Sequence, residues 1–512
     1  MSEKAPAAAA PAAPPAAGPD IHWEWAVAAT VIVTLARLAA MRLSPLQLYP
    51  DEAQYWLWSR HLAFGYFTKP PLIAWLIRLT TLTSDAEPFV RVSSPLLHAA
   101  AGLFLFRAAR RLYDGRTALF ALFVYALTPA VQLGAFVIST DTPLVACLAA
   151  ALWAYVALQA AEGRARLAWA GALGVAFGLA FLAKYAALYA ILGAAAHLAL
   201  SREARRAWTP AAAIVAVAGF GLLAAPNLVW NASHGLASFG HVAREAAWGA
   251  RSGGPLKGLE FLGDQFGVFG PLPFAVLLVG APLLALRRRL AASDLLLLAW
   301  TLPALLIILV QAFAAGAKAN WAVAAYGPAS ILVAAWLLRW GRPRLLIAGL
   351  ALQGVMAVAG LAVEVRPQLA DQVGLAKALR GVRGGREAAQ LIVNRAETEQ
   401  LFAPLSAVAI DERELFNLVA YYGRDYWGKA GPPLAAWRSG PTPQNEAELS
   451  APLTPALGAR VLAVSRDGVW LSQMRTQFRQ AGDTDFGEVW LGGKDRLKVE
   501  MFVGEGFQPP AQ

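Results

Sequence analysis

With 512 residues, 58% of them hydrophobic, and a mean hydropathy of +0.48, the chain is far more apolar than a soluble protein of this size and reads as an integral membrane protein. A formal charge of +11 would suit a nucleic-acid partner, but the basic residues are spread over short loops and form no single patch, which argues against that class. The single cysteine, Cys147, lies inside an apolar run, so neither an intrachain disulfide nor a cysteine-based metal site is available.

Residues 1–22 are expected to form a disordered cytoplasmic tail, because the Ala/Pro run MSEKAPAAAAPAAPPAAGPD cannot bury enough surface to offset the entropy of ordering. The tail has no basic leader and no cleavage site before the first apolar run, which is therefore expected to be an uncleaved signal-anchor. Apolar segments long enough to cross about 30 Å of hydrocarbon lie near 23–43, 91–111, 117–135, 143–161, 167–183, 184–200, 209–230, 266–286, 294–313, 319–338 and 344–363.

Arginine placement supports this division into about eleven transmembrane helices, since short cytoplasmic loops are rich in Lys and Arg. The clusters are Arg107/Arg110/Arg111/Arg116, Arg164/Arg166, Arg202/Arg205/Arg206, Arg287/Arg288/Arg289 and Arg339/Arg342/Arg344. With the N-terminus inside, all five fall on the cytoplasmic side. Turns at 44–90, 136–142, near 184, 231–263 and 314–320 then share the outer side. Reading 167–200 as one span would switch every later cluster, so Lys184 is expected to mark a turn.

The outer loop 44–90 contains YPDEAQYWLWSRHLAFGYFTKPPLIAW, from Tyr49 to Trp75. Pro50 can begin a helix with Asp51 and Glu52 in its first turn, where carboxylates are favoured by the helix dipole. The aromatics Tyr55, Trp56, Trp58, Phe64, Tyr66 and Phe67 are expected at the headgroup level, and Lys69 with them. Loop 231–263 carries His234, His241, Arg244, Glu245, Trp248, Arg251 and Lys257 on the same side. Asn231-Ala-Ser233 matches a glycosylation sequon, but the Arg- and Ala-rich composition fits a GC-rich bacterium, where its use is not expected.

After Val363 no apolar run can span, and residues 364–512 are expected to be a soluble α/β domain, placed outside by the odd number of crossings. ARVLAVSR, GEVWLGG and LKVEMFVGEGF read as strands, ERELFNLVAYYG and GVWLSQMRTQF as helices, and GPPLAAWRSGPTPQNEAE as a Pro-rich loop.

Five motifs recur in one order across the first two-thirds of the chain: DEAQYW at 51–56, GYFTKPPLIAW at 65–75, ISTDTPL at 138–144, FLAKYAALY at 181–189 and KANWAVAAYGP at 318–328. Together they resemble the bacterial GT-C glycosyltransferases related to the protein O-mannosyltransferases and the lipid A aminoarabinose transferase. The resemblance implies a mainly α membrane catalytic domain over 23–363, an extracytoplasmic C-terminal domain, and transfer of a sugar from a polyprenyl-phosphate-linked donor at the periplasmic face of the inner membrane.

Such a transfer needs a carboxylate to take the acceptor proton, cations to stabilise the leaving lipid phosphate, and a site open to the bilayer. The resemblance implies that Asp51 is the catalytic base and that Lys69 binds the donor phosphate; on residue type alone each also reads as a helix-start acid and a snorkelling lysine. Lys184 sits in an apolar stretch where an ionisable group is costly and usually functional; it joins the donor-phosphate group unless it only tips a turn. Glu52, Asp141, His241, Arg244, Lys318, Asn320 and Tyr326 are candidates for substrate contact or site organisation. Asp141 reads equally as a helix cap, Lys318 as the tip of a turn, and Tyr326 and Trp321 as belt aromatics.

His234, His241, Asp51 and Glu52 have no metal-ligand spacing on one element, so no obligatory metal is expected, although a divalent ion remains compatible. The expected partners are the lipid-linked donor, a lipid or glycan acceptor and membrane lipids, with no nucleic acid. The acceptor is lipid A or its core, another envelope glycan, or protein Ser/Thr; the sugar is a hexose, a hexuronic acid or an aminopentose. A polyprenyl-diphosphate polymerase or ligase would use other motifs. A transporter would carry repeats and mid-membrane charges, whereas here the acids and lysines gather on one face.

Overall fold

The computed structural model describes residues 21–246, 253–287, 290–429 and 431–509. The expected tail at 1–20, together with Trp248, Arg251, Arg288 and Arg289, lies outside them. Among the described residues eight helices are long and apolar enough to cross a membrane: His22–Leu43, Glu87–Leu112, Asp141–Gln159, Gly163–Ala183, Pro210–Ser233, Ala292–Ala315, Ala319–Arg339 and Pro343–Val365. Three shorter apolar helices, Gly115–Ala126, Tyr185–Leu200 and Pro271–Leu286, occupy the remaining expected segments.

The segment expected as one span over 117–135 is broken. Helix Gly115–Ala126 stops before Pro129, which opens a separate turn of helix at Pro129–Gly134, because a proline disfavours helical backbone in the residue before it. The carbonyl of Ala126, left without a helical partner, accepts from Arg37 of the first span at 2.8 Å and from Gln132 at 2.6 Å. At Lys184 the backbone is extended (φ −162°, ψ 137°) between Gly163–Ala183 and the next helix, so the run 167–200 does divide there. Small residues let the helices approach: a Cβ at Gly174 would run into the Ala216 carbonyl of helix Pro210–Ser233, the close contact that membrane bundles obtain from glycine.

The bundle has two distinct ends. At one, Arg339 grips the buried Asp294 with two bonds of 2.6 and 2.9 Å, and the Tyr113 hydroxyl donates to Asp294 at 2.8 Å. This joins the ends of three helices beside the arginine clusters. The motif-bearing turns meet at the other end, under the C-terminal domain.

That domain follows helix Pro343–Val365. It is built on a six-stranded sheet of strands β1 (Ala407–Ile410), β2 (Leu434–Ala436), β3 (Arg460–Ser465), β4 (Phe478–Ala481), β5 (Asp485–Gly492) and β6 (Asp495–Phe507). The order is β2-β1-β3-β6-β4, with β5 also paired to β6; β1 runs parallel to β2 and β3, and β6 antiparallel to β3, β4 and β5. Strands β3, β5 and β6 lie where expected. β2 lies inside the stretch expected as a Pro-rich loop, at the sheet edge where Pro432 and Pro433 cost no ladder bond. The helix expected over 468–478 ends at Arg475, and Phe478 begins β4.

The domain clamps the 44–90 loop. Gln47 donates to Glu387 at 2.7 Å and accepts from the Arg386 N–H at 2.9 Å, the Leu48 N–H donates to the Tyr422 hydroxyl at 2.7 Å, and the Phe67 N–H donates to Glu446 at 2.6 Å. Tyr55, Trp56, Trp58 and Tyr66 pack with Ile73, Ile77, Leu418 and Tyr421 in a core shared by loop and domain. These aromatics, expected at the headgroup level, are therefore inside the protein; Phe64 alone of the six is exposed.

Candidate active site

Helix Pro50–Arg60 begins on Pro50, and its two acids serve different ends. Glu52 turns inward. It accepts from the Tyr49 N–H at 2.8 Å, from the Ile138 N–H at 2.9 Å, and from Arg91 at 2.9 and 2.7 Å. Arg91 also donates to the carbonyls of Leu46 and Gln47. With all its acceptor capacity used and no surface exposed, Glu52 pins the 44–90 loop to the turn before Asp141; it organises the site without facing it. Arg91 did not figure among the expected residues. Its signal was present, since an arginine that opens an apolar span is costly to bury without a partner acid.

Asp51 faces outward with 40% of its side chain exposed and meets Arg413 of the C-terminal domain at 3.0 Å. Arg413 also donates to Gln54 at 2.6 Å. The charges of Asp51, Arg413, Asp141 and Glu52 all act on Tyr55, whose phenol is held in its protonated form first by burial and then by the neighbouring carboxylates. Asp51 and Asp141 thus share one neighbourhood across Tyr55.

Asp141 begins helix Asp141–Gln159, yet its carboxylate makes no cap. One oxygen accepts from Lys184 Nζ at 2.7 Å and the other from Asn320 Nδ2 at 2.8 Å. Three residues from three motifs, Asp141, Lys184 and Asn320, therefore close into one set.

Lys69 precedes two prolines, so its backbone is kept out of the helix that starts at Leu72. Its ammonium lies 3.9 Å from Glu245, which also meets Lys318 at 3.2 Å and His241 at 3.9 Å. Burial, and then the Lys184 charge, pull the Lys69 pKa below the ordinary lysine value; Glu245 and Asp51 act in the opposite sense. Burial raises the Glu245 carboxyl, but Lys69, Lys318 and His241 outweigh it and hold the group below the usual carboxylate range. His241 is lowered by burial and packs against Phe67, over which the exposed Arg244 guanidinium also lies.

Tyr326 stands apart. It is buried in the bundle, stacked on Phe269 at 4.4 Å, with its hydroxyl donating to Gln265 at 2.5 Å. Asn231 of the sequon is also fully buried and bonded to Tyr185, Asn227 and Ser238, which leaves no amide for a glycan. Among the described residues no three His, Cys, Asp or Glu side chains gather as a metal-binding group. The positive groups beside the acids are lysines and Arg413.

A family profile described as dolichyl-phosphate-mannose-protein mannosyltransferase matches residues 68–230. The lipid A galacturonosyltransferase RgtD of Rhizobium johnstonii is 38% identical over 327 residues, covering 64% of this chain and 68% of that protein. The crystal structure of ArnT from Cupriavidus metallidurans in the apo state matches with a TM-score of 0.64 over 95% of this chain and 99% of that one, at 17% identity, a likeness of fold. Motif order, helical architecture and this relationship give one answer: the chain belongs to the ArnT-like GT-C glycosyltransferases, the membrane family related to the protein O-mannosyltransferases.

Proposed function

We propose that the protein is an inverting transferase that moves a hexuronic acid from a polyprenyl-phosphate-linked donor to a lipid A-type acceptor at the periplasmic face of the inner membrane. An acceptor hydroxyl attacks the anomeric carbon, the new C–O bond forms as the bond to the lipid phosphate breaks, and the hydroxyl proton passes to Asp51. The lipid phosphate leaves with its charge stabilised by Lys69, with Lys184 held beside it through Asp141 and Asn320. No metal is obligatory in this scheme, since the cations are side chains.

The observation that carries the reading is the convergence of Asp51, Lys69, Lys184, Lys318 and Arg413 at one end of the bundle, where Asp141 and Glu245 hold the lysines. A lipid phosphodiester carries one negative charge. The lysines suit that phosphate, and the choice of a hexuronic acid rests on the related RgtD, which is named for transferring such a sugar. The outward orientation is supported by the arginine clusters at the opposite end.

The test is transfer in vesicles supplied with lipid A and either a polyprenyl-phosphate hexuronic acid or its neutral hexose counterpart. Preference for the uronic donor is expected, together with loss of an acidic sugar from the envelope lipids of a deletion strain by mass spectrometry. Equal or better use of the neutral donor would overturn the sugar assignment.

A further inference from the structure

The C-terminal domain contains a crevice of about 500 Å3 that the catalytic scheme does not use. Its position follows from the sheet. β1 lies between β2 and β3 and runs parallel to both; the chain leaves β1 toward β2 on one side and leaves β3 toward β4, beyond β6, on the other. Ligands of open α/β sheets sit outside the carboxyl ends of the strands at such a reversal. The three strands end at Ile410, Ala436 and Ser465, and the residues that follow them, among them Asp411, Arg413, Trp437, Ser439 and Arg466, line the crevice together with Trp470.

The lining has unspent hydrogen-bonding capacity. Asp411 accepts from the Ser465 hydroxyl at 2.7 Å through one oxygen, while its other oxygen is buried without a partner. Burial pushes the Asp411 carboxyl up to about 6. One oxygen of Glu412 is engaged by Arg466 and the other is likewise buried and unpartnered. A buried acceptor without a donor is costly and asks for an explanation; a turn of either side chain toward the crevice would bring its free oxygen to the hydroxyl groups of a ligand. Trp470 is 40% exposed and inclined to Trp437 at 6.0 Å and 63°. It presents an apolar ring of the kind that packs on the C–H face of a pyranose.

Two arginines in the lining disfavour a metal ion, and the carboxylates disfavour a lipid tail. With Asp411, Glu412, Glu448 and Asp467 outnumbering the two arginines, a polyhydroxylated ligand without an anionic substituent fits both. The crevice also lies beside the catalytic end of the bundle: Arg413, on its wall, donates to Asp51 at 3.0 Å.

We infer that this crevice is a saccharide subsite that holds the glycan of the acceptor so that one of its hydroxyls reaches Asp51. The inference rests on the proposed transfer to a lipid A-type glycan and deepens it by assigning acceptor recognition to the C-terminal domain.

The probe is the deacylated, dephosphorylated glucosamine disaccharide of lipid A, titrated calorimetrically into the full-length protein in detergent. Saturable binding is expected, weakened about tenfold in Trp470→Ala and in Asp411→Asn, a loss of the size of one hydrogen bond or ring contact. In turnover the two crevice variants should raise the acceptor KM while leaving the donor KM at the wild-type value, which also shows that they are folded. No binding by the wild-type protein, or unchanged affinity in both variants, would overturn the assignment. Transfer to lipid A with an unchanged acceptor KM in the variants rejects the crevice and keeps the proposed function. Disaccharide binding that depends on Trp470 and Asp411 without transfer to lipid A rejects that function and keeps the crevice.

Discussion

Replacing Glu52 by glutamine changes one atom of a side chain with no exposed surface, and the structure sets the size of the effect. The carboxylate receives four donors: two from Arg91, and the N–H groups of Tyr49 and Ile138. An amide oxygen can accept two of them, and the new NH2 group would face donors. Arg91, with 3% of its side chain exposed, keeps a charge it cannot solvate. Stranding one member of a buried ion pair costs about 3–5 kcal/mol, a large part of the roughly 5–15 kcal/mol by which folded proteins are stable.

The assay is thermal unfolding in detergent by tryptophan fluorescence, paired with the half-life of activity. Glu52→Gln should lower both. Glu52→Gln/Arg91→Met should regain part of the loss, because no charge is stranded. Full recovery is not expected, since the Leu46 and Gln47 carbonyls lose their Arg91 donor. A Glu52→Gln protein that melts with the wild type would refute the pin, and one that does so yet is inactive would place Glu52 at the reacting atoms.

Asp51→Asn should reduce transfer by about 10²–10⁴-fold, the range for loss of a general base, with the melting temperature nearly unchanged because Asp51 is 40% exposed; retained turnover would remove it from the mechanism. Donor KM should climb in alkaline solution at a pH below that at which an ordinary lysine titrates, because Lys69 is charged only below its lowered pKa; in Lys69→Arg the rise should disappear, and a pH profile identical to wild type counts against Lys69 as the anion ligand. Asp141→Asn should raise donor KM by about tenfold, since an amide cannot hold both Lys184 and Asn320 as a carboxylate does; an unchanged donor KM would mean that the set is structural only. Treatment with a chelator should leave turnover intact, and activity lost to the chelator but restored by a divalent cation would contradict the metal-free scheme.

Parts of this architecture were legible because they rest on local physics. Long apolar runs and arginine clusters placed the helices, and Lys184 marked its break because an extended ammonium-bearing residue cannot continue a membrane helix unpaired. The break near Pro129 carried a signal as well, but the apolar run continued across it and masked the interruption. β1 and β2 are four and three residues long, too short for alternation to show, and they form because β3 and the helices bury them. The site divides the same way. The sequence placed Asp141, Lys184 and Asn320 on one side of the membrane, but the contact among them spans 43 and 179 residues and exists only in the packed bundle. Arg413 had no sequence signal beyond a charged residue at a helix start, and its importance comes from docking of the C-terminal domain. Tyr326 reads as a belt residue in sequence, whereas the bundle supplies Gln265 as a partner and draws it in.

The ion pairs of the site are not equal, and their inequality bears on how an anionic donor would be received. Lys184 is bound to Asp141 at 2.7 Å, with Asn320 completing the carboxylate's bonding. Lys69 faces Glu245 at 3.9 Å, an acid it shares with Lys318 and His241. Coulomb attraction falls as the inverse of distance, so the longer contact retains roughly 0.7 of the pull of the shorter one before any hydrogen-bond contribution is counted. The shared acid also spreads its charge over three partners. A phosphate displacing Glu245 from Lys69 therefore gives up a loose contact, whereas one displacing Asp141 from Lys184 breaks a short charged hydrogen bond and disturbs Asn320. In the proposed chemistry Lys69 is the group free to follow the charge as it develops on the leaving phosphate, and Lys184 is the fixed positive point that keeps the turn beside it in place.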